Sequence, residues 1–580
     1  MRCVWLIALL LPVLCAAQPG PWWAYGFGGP ADDRFTAIAR GPGDTLYACG
    51  TFSGAMHSFN GTFISTGVTD VFVVKMDTSG SVYWTSIAGG PGVDRATDIT
   101  VDGNGDIIVV GQFSGTFTAG GVALTSAGPS QDIFVTKWNA DGQVLWARAA
   151  GSDGNTDIAE RVAADASGNV YVAGEFSGTA SFGGLVTTST IDPLTNAPSD
   201  DVFLVKYSVT GDALWVKKGA AIHQDRALGL AVDDGGNAWL CGQFSDAVTF
   251  DQAHANEMNN AAFIAAFTPN GSEQWFRRIG GGGSVLAGGL CEVEGVPWLC
   301  GSQTGNNIIF GNTATVLASA YPYSAFAVSF NAQGEPSAQR TLGSEHPIEA
   351  RGIDVGADEV MLGGNFECQA LELSEVSGGD GLMLSWGGEN GWVCVLDRSD
   401  DLAIVYAQAL TDHEAMDLHD VLLGPDRTMF AAGEFADELY IPCIESKLRA
   451  MPGDSLLVIG PGGTDEACGD TTYYDVARLR SIGVLDGFVM KGFIRDRRPM
   501  DIFPRPSCEF GMHPLFDVMP ASDPDCTVPG VEASFCGSGA LSATFDYAYG
   551  PIPVFSWSTG ATAGSIPVSV QGDYSVVAEA

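Results

Sequence analysis

Charge is scarce in this sequence, and positive charge scarcest. Asp, Glu, Lys and Arg make up 16% of the 580 residues, against about 25% in an average globular protein. Lys and Arg number 27 against 68 Asp and Glu, a net charge of -41. That balance excludes nucleic-acid binding, which needs cations to displace phosphate counterions, and disfavours adhesion to anionic lipid. Divalent cations and cationic ligands stay open. No stretch after the N-terminus offers the run of about 18 apolar residues that a membrane span needs. No helical period organises the apolar residues, and no Gly-X-Y triplet makes the chain collagen-like. Hydrophobic residues are plentiful at 46% and glycine at 76. The length allows two to four domains or one repeat array.

The N-terminus carries Arg2, an apolar core from Val4 to Leu14, and the small residues Cys15-Ala16-Ala17 before Gln18. This reads as a secretory signal, residues 1–17, removed after Ala17. The alternative, lipidation at Cys15, is disfavoured by Leu14 before it. The mature chain is expected to be exported, secreted or at the cell surface, and monomeric. Disulfides are permitted there. Cysteines number 13. Without Cys3 and Cys15 the remainder is odd, which leaves at least one thiol with no internal partner.

Self-comparison reveals seven copies of one unit at intervals of roughly 60 residues. A Gly-x-Phe signature recurs at Gly50, Gly111, Gly174, Gly242, Gly364 and Gly433, with Gly301 as a degenerate copy. An alternating run opened by Asp recurs as Asp70-Val-Phe-Val-Val-Lys75, Asp132-Ile-Phe-Val-Thr-Lys137 and Asp201-Val-Phe-Leu-Val-Lys206. Weaker copies lie near Ala262, Ala325, Gly391 and Asp454. A Trp-centred segment recurs at Trp23, Trp84, Trp146, Trp215 and Trp275, with Tyr406 in the last copy. Each unit reads as four short strands joined by tight Gly turns. Four strands repeated radially make a propeller, which leaves few exposed sheet edges. The fold expected is all-β: a seven-bladed β-propeller over 18–460, closed by the N-terminal strand. Pairing of Trp22–Tyr25 with Ser455–Ile459 is the expected closure.

The segments Gly168-Asn-Val-Tyr-Val-Ala-Gly174 and Gly142-Gln-Val-Leu-Trp146 resemble the SBBP repeats of exported bacterial proteins. The resemblance covers about three quarters of the chain. It implies a propeller fold and an exported protein, and it transfers no activity. Residues 461–530 break the repeat and read as a packed extension, with a short helix over Tyr473–Ile482 and a staple between two of Cys468, Cys508 and Cys526. Residues 531–580, with Trp557 as the core tryptophan, resemble an incomplete immunoglobulin-like or PKD-like module in which Cys536 has no partner.

The Gly-x-Ser-x-Gly, His-Glu-x-x-His, phosphate-loop and Asp-box motifs are all missing. Asp102-Gly-Asn-Gly-Asp106 lacks the closing bidentate acid of a calcium loop and reads as a hairpin turn. The connections between second and third strands are long, and those between fourth and first strands carry acids. Both sets emerge on one face, where function on rigid scaffolds resides. Asp33, Asp94, Asp157, Asp225 and Asp417 each stand five residues before an apolar strand position. His223, His346, His413, Asp412 and Glu414 lie in the same set of loops. Two readings stand for the aspartates: they fasten loops to neighbouring blades, or they ring the channel mouth to bind calcium or a cationic ligand. A metal site from His413, Glu414 and His419 is a third. The repeated tryptophans are expected to pack blades rather than hold sugars. Cys49, Cys241 and Cys300 are expected to be packing residues, and Cys368 with Cys394 offers a disulfide. No resident cofactor other than calcium is implied. The leading functional expectation is a non-enzymatic scaffold for binding or adhesion, with a protein or glycan partner on the long-loop face. The rivals are an extracellular hydrolase or lyase with a metal at the channel mouth, and a structural spacer.

Overall fold

The structure is a computed structural model. It describes residues 23–436 apart from 59, 221–224, 245–246, 256–260, 282, 306, 312–315, 320, 368–369, 374–380, 385–388, 411–414 and 425–426. Beyond them it describes 438–443, 457–459, 475–480, 485–493 and five strands between 531 and 579.

Seven antiparallel blades of four strands each follow one another around a ring, two of their sheets being extended to six strands. The second blade is typical, with strands Arg95–Val101, Ile107–Ser114, Gln131–Trp138 and Val144–Ser152. The first strands of all seven contact one another in an unbroken cycle, the seventh meeting the first, so they line the axis of a closed ring. Inner strands such as Ile107–Ser114 are buried along almost their whole length. A strand sandwiched between two neighbouring sheets must be apolar on both faces, which is why it reads as a continuous Ile-Ile-Val-Val run rather than an alternation. The cores accordingly lie between blades. One cluster joins Phe35, Ala48 and Phe72 of the first blade to Phe430 and Val489 of the seventh.

Two sequence signatures meet in space. The Phe of each Asp-x-Phe run lies over the Gly of Gly-x-Phe. A Cβ on Gly111 would sit 2.9 Å from the Phe134 ring and 1.9 Å from the Arg95 carbonyl oxygen. The glycine sits where a bulge interrupts the first strand, which shifts register between Ala96 and Asp98. The same shift occurs in all seven blades.

Closure uses the N-terminal strand as expected, but with a different partner. Trp23–Phe27 pairs with Asp486–Phe493, Tyr25 opposite Val489. The strand Asp486-Gly-Phe-Val-Met-Lys491 carries the Asp-x-Phe signature, and Phe488 covers Gly433 as Phe134 covers Gly111. The ring therefore runs to Phe493, beyond the expected limit of 460. Leu457–Ile459 pairs instead with Asp475–Arg480 in a three-stranded sheet with Glu438–Cys443. The expected helix over Tyr473–Ile482 is thus a strand in its described part, because a sheet partner overrides weak local preference.

The long second-to-third connections are β-hairpins rather than open loops, for example Thr116–Ala119 with Val122–Thr125 and Thr179–Phe182 with Leu185–Thr188. Each inserted segment touches the outermost strand of the preceding blade. Where contact is most extensive, Thr179–Phe182 pairs with Val144–Ser152 and extends that sheet to six strands. This covers edges that would otherwise invite pairing with other chains.

The repeated tryptophans join blades. Trp84, Trp146 and Trp215 donate their indole N–H to the carbonyl oxygens of Ala140, Val209 and Pro269, each in a turn of the following blade. The turn glycine lies under the indole. Gly211 has φ +80, and a Cβ there would sit 2.8 Å from the Trp146 ring. Asp102-Gly-Asn-Gly-Asp106 is a hairpin turn: Asp102 Oδ1 accepts the N–H groups of Asn104 and Asp106, and Oδ2 receives the buried Lys137 ammonium at 2.6 Å. Cys49, Cys241 and Cys300 are buried free thiols in equivalent positions. Cys394 is also a buried free thiol, and Cys368, its expected disulfide partner, lies outside the described residues. Cys468, Cys508, Cys526 and Cys536 lie outside them as well.

Residues 500–580 form a separate compact unit. Its described strands make two antiparallel sheets, Val531–Phe535 and Val554–Trp557 with Gly572–Glu579, and Gly539–Ser542 with Ser565–Val568. Among the described residues no helix is long and apolar enough to cross a membrane.

A pair of glycine substitutions separates strain from packing. Gly43 has φ +66 with open space around it. Gly43→Ala is expected to cost about 1 kcal/mol from left-handed backbone strain. Gly211→Ala adds overpacking against the Trp146 indole, about 1–3 kcal/mol more. Urea unfolding of the two variants measures the difference, and equal losses would contradict the tryptophan joint.

Candidate functional site

The first strands begin on the face that carries the hairpins, around the mouth of the axial channel. Four of the singled-out aspartates occupy one equivalent position there. Asp33, Asp94, Asp157 and Asp225 are all buried, each in a different blade joint. Asp33 Oδ1 accepts the Ser53 N–H at 3.1 Å. Asp94 Oδ2 accepts that of Gly90 at 2.6 Å. Asp157 accepts from Ser177 through Oδ1 and from Ser152, both N–H and hydroxyl, through Oδ2. The Asp225 N–H donates to the Asp200 carbonyl at 3.1 Å. The four do not converge on a shared point.

Three of them meet a further carboxyl from the strand that opens with the Asp-x-Phe signature: Asp33 meets Asp486, Asp94 meets Asp70 and Asp157 meets Asp132. Asp132 and Asp157 approach the same glycine: a Cβ on Gly151 would lie 2.6 Å from Asp132 Oδ1 and 3.0 Å from Asp157 Oδ2. Burial first, and like charge second, push these carboxyls upward. Asp33 rises to about 8 by burial and then Asp486, against the Ser53 N–H. Asp94 rises to about 7 by burial, with Asp70 adding to it. Asp132 and Asp157 both rise to about 6, chiefly by burial.

Asp417 is not equivalent to those four. Leu418 pairs with Gly433 as Ala96 pairs with Gly111, so Met416 occupies the Asp94 position and Asp417 the Arg95 position. One residue of register turns a side chain to the opposite face. Asp417 therefore joins a ring at the mouth made of Arg34, Arg95, Ile158, Arg226, Leu286 and Glu349. Arg351 Nη1 donates to Asp417 Oδ1 at 2.6 Å, and Asn365 Nδ2 donates to the same oxygen. Glu434 stands opposite Asp417 in register and receives Arg34 Nε at 3.2 Å. Arg226 reaches back to Glu160 at 3.5 Å and Glu175 at 3.8 Å. Burial, then Glu160, pushes Glu175 up to about 8 although Arg226 opposes this.

Deeper in the channel stand Asp98, Arg161 and Asp420. Asp98 Oδ2 accepts the Val162 N–H at 2.8 Å, and Asp420 Oδ2 accepts the Ile38 N–H at 3.0 Å, each tying its strand to the next blade. Burial raises Asp98 to about 6 and Asp420 to about 7, with Arg161 pulling both down. Burial works against the Arg161 charge, but Asp98, Glu160 and Asp420 more than offset it.

His346 is exposed in its connection, where its N–H donates to Ser344 Oγ at 3.1 Å. His223, Asp412, His413 and Glu414 lie outside the described residues. Glu434, Arg351, Asn365, Asp98, Arg161 and Asp420 were not expected from sequence. A signal for two of them was present: the middle residue of Gly-x-Phe is polar in every copy, including Asn365 and Glu434.

No family model matches the chain, so the likeness to SBBP repeats rests on its motifs. The chain is 29% identical over 233 residues to an uncharacterized WD repeat-containing protein of Acanthamoeba polyphaga mimivirus, a match covering 35% of this chain and 16% of that protein's length. Among solved structures, the Neurospora crassa Pan2 WD40 domain aligns at 10% identity and TM-score 0.34, over 70% of this chain and 91% of that one. Phage phi92 endosialidase aligns at 9% identity and TM-score 0.33, over 94% and 79%.

The raised carboxyls set a pH dependence. Their folded pKa values of about 8, 7, 6 and 6 exceed the unfolded value of about 3.9, so the folded state holds more protons. The stabilisation is complete below about pH 4 and is lost as pH rises through 6 to 8. Thermal melting across that range is expected to show a falling midpoint. Asp94→Asn keeps an acceptor for Gly90 and removes the charge facing Asp70, so it is expected to flatten the fall. A wild-type midpoint that rises from pH 5 to 8, or an unchanged slope in the variant, would count against it.

Proposed function

We propose that the chain is an exported ring scaffold that binds a protein partner on the hairpin-bearing face. The observation that carries this reading is the asymmetry between the two faces. One bears tight turns such as Asp102–Asp106, closed by their own hydrogen bonds. The other bears the hairpins and a channel mouth ringed by Arg34, Arg95, Arg226, Glu349 and Asp417, with Leu286 at 38% exposure among them. A mouth with arginines on one side, acids on the other and the apolar Ile158 and Leu286 among them suits specific docking, since charge complementarity sets orientation and rejects wrong partners. The joints described above hold that face on a rigid frame, which lowers the entropic cost of binding.

Export and a cell-surface or adhesive role rest on the N-terminal signal and on the likeness to SBBP repeats. The 531–580 module, read as immunoglobulin-like, fits a surface protein. A calcium role for Asp33, Asp94 and Asp157 is disfavoured by their separate joints and by the backbone N–H groups their carboxylates accept, and Asp225 occupies the equivalent position in another joint. A second reading, an extracellular hydrolase or lyase with a metal at the mouth, draws on the proximity of Asp417, His419 and Glu434.

Affinity capture from cell-surface extracts and a glycan array, both with the mature chain, would identify the partner class. Hydrogen exchange on the complex is then expected to show protection in the hairpins 116–125 and 179–188 and around Arg95 and Arg226. Protection confined to the turns 102–106 and 139–142 would overturn the face assignment. Glycan binding without protein capture would overturn the partner class.

A further inference from the structure

We propose that Asp417, His419 and Glu434 form a site for one divalent transition-metal ion of the zinc or manganese class at the channel mouth. One ligand atom from each lies within 4.8 Å of the others. This set differs from the ring of buried aspartates and from the triad of His413, Glu414 and His419.

The backbone builds the site. Asp417 and Glu434 face each other across adjacent antiparallel strands. His419 is the extra residue of the bulge between Leu418 and Asp420. A bulge re-aims the side chain it carries, and here the His419 Nε2 stands 3.8 Å from Glu434 Oε1. That is too long for a hydrogen bond. The same nitrogen is buried without a hydrogen-bond partner, in a cluster whose other members are a half-buried Asp and a Glu only 8% exposed.

The surroundings resemble the outer support of a metal site. Arg351 and Asn365 hydrogen-bond Asp417 Oδ1, and Arg34 Nε pairs electrostatically with Glu434 Oε2 at 3.2 Å. Asp417 is thereby oriented by one oxygen with the other left for an ion, as ligating carboxylates require, and Glu434 Oε1 stands beside His419 Nε2. Glu349 also contacts Arg351 at 3.0 Å, and Glu389 is close enough to feel both Asp417 and Arg351. Four carboxylates thus face two guanidinium groups, and a dication would balance the remainder.

The donor set selects the ion class. Calcium takes six to eight oxygen ligands, whereas one imidazole with two carboxylates suits zinc, manganese or iron. Tetrahedral ligands at about 2.0–2.1 Å stand roughly 3.4 Å apart, so with all ligand atoms within 4.8 Å of one another ion binding requires closing of at most about 1.4 Å between any pair. Three protein ligands would leave a coordination position open toward the mouth.

The test uses the mature full-length chain stripped of metal with EDTA. Titration with Co²⁺ is followed by visible absorption, and with Zn²⁺ by calorimetry. One equivalent is expected, with a ligand-field band. His419→Ala and Glu434→Gln are each expected to bind at least tenfold more weakly, and Asp153→Asn, an exposed acid outside the cluster, to match wild type. Equal melting temperatures in EDTA show that the variants fold. If His419→Ala fails this, Glu434→Gln, which keeps its shape, decides. No binding by wild type, equal binding by the folded variants, or displacement of Co²⁺ by equimolar Ca²⁺ would overturn the site.

Discussion

The constraint on which this structure depends is the joint between successive blades. The first strand of each blade presents backbone N–H groups to its predecessor, and buried N–H groups need acceptors. The middle residue of Gly-x-Phe supplies one: Thr51 accepts from Ala96, Ser302 from Ala350, and Asn365 from Leu418. On the outer side the indole N–H bonds reach forward to the next blade's turn. On the axis Asp98, Asp354 and Asp420 accept from Val162, Leu423 and Ile38. Each such bond contributes about 1 kcal/mol net. Their repetition around a closed ring fixes the spacing of everything mounted on it.

The same joints explain why residue chemistry at the mouth varies while the scaffold does not. The ring positions point where no neighbouring backbone needs an acceptor. They hold arginine, isoleucine, leucine, glutamate or aspartate without disturbing the fold. Just inside, where N–H groups must be satisfied, side chains are polar in every blade. Function in such a molecule is written in the positions that the joints leave unconstrained.

The blades, their number and the N-terminal closure were legible because repetition averages out local ambiguity. The closing partner was missed although Asp486-Gly-Phe-Val-Met-Lys491 carries the signature plainly. The inserted strands between 438 and 480 lengthen the last unit, and Leu457–Ile459 imitates the expected strand at the expected spacing. The equivalence of Asp417 is obscured in the sequence for a similar reason. Leu422 and Val421 are both apolar, and only pairing with Ala431 shows which is equivalent to Ile38. The convergence of Asp417, His419 and Glu434 joins adjacent strands across a bulge. Spacing along the chain cannot reveal it, because the contact depends on register.

Closure of the ring by Trp23–Phe27 also dictates an order of events during synthesis. That strand is the first of the ring to emerge from the ribosome, and its partner Asp486–Phe493 the last. At about 5–20 residues per second, roughly 460 intervening residues take on the order of half a minute to a minute and a half. Throughout that interval an apolar strand must wait without its mate, while six blades already offer edges nearby. The last blade is therefore the step at which a nascent chain is most exposed to mispairing, and the step a chaperone would have to guard.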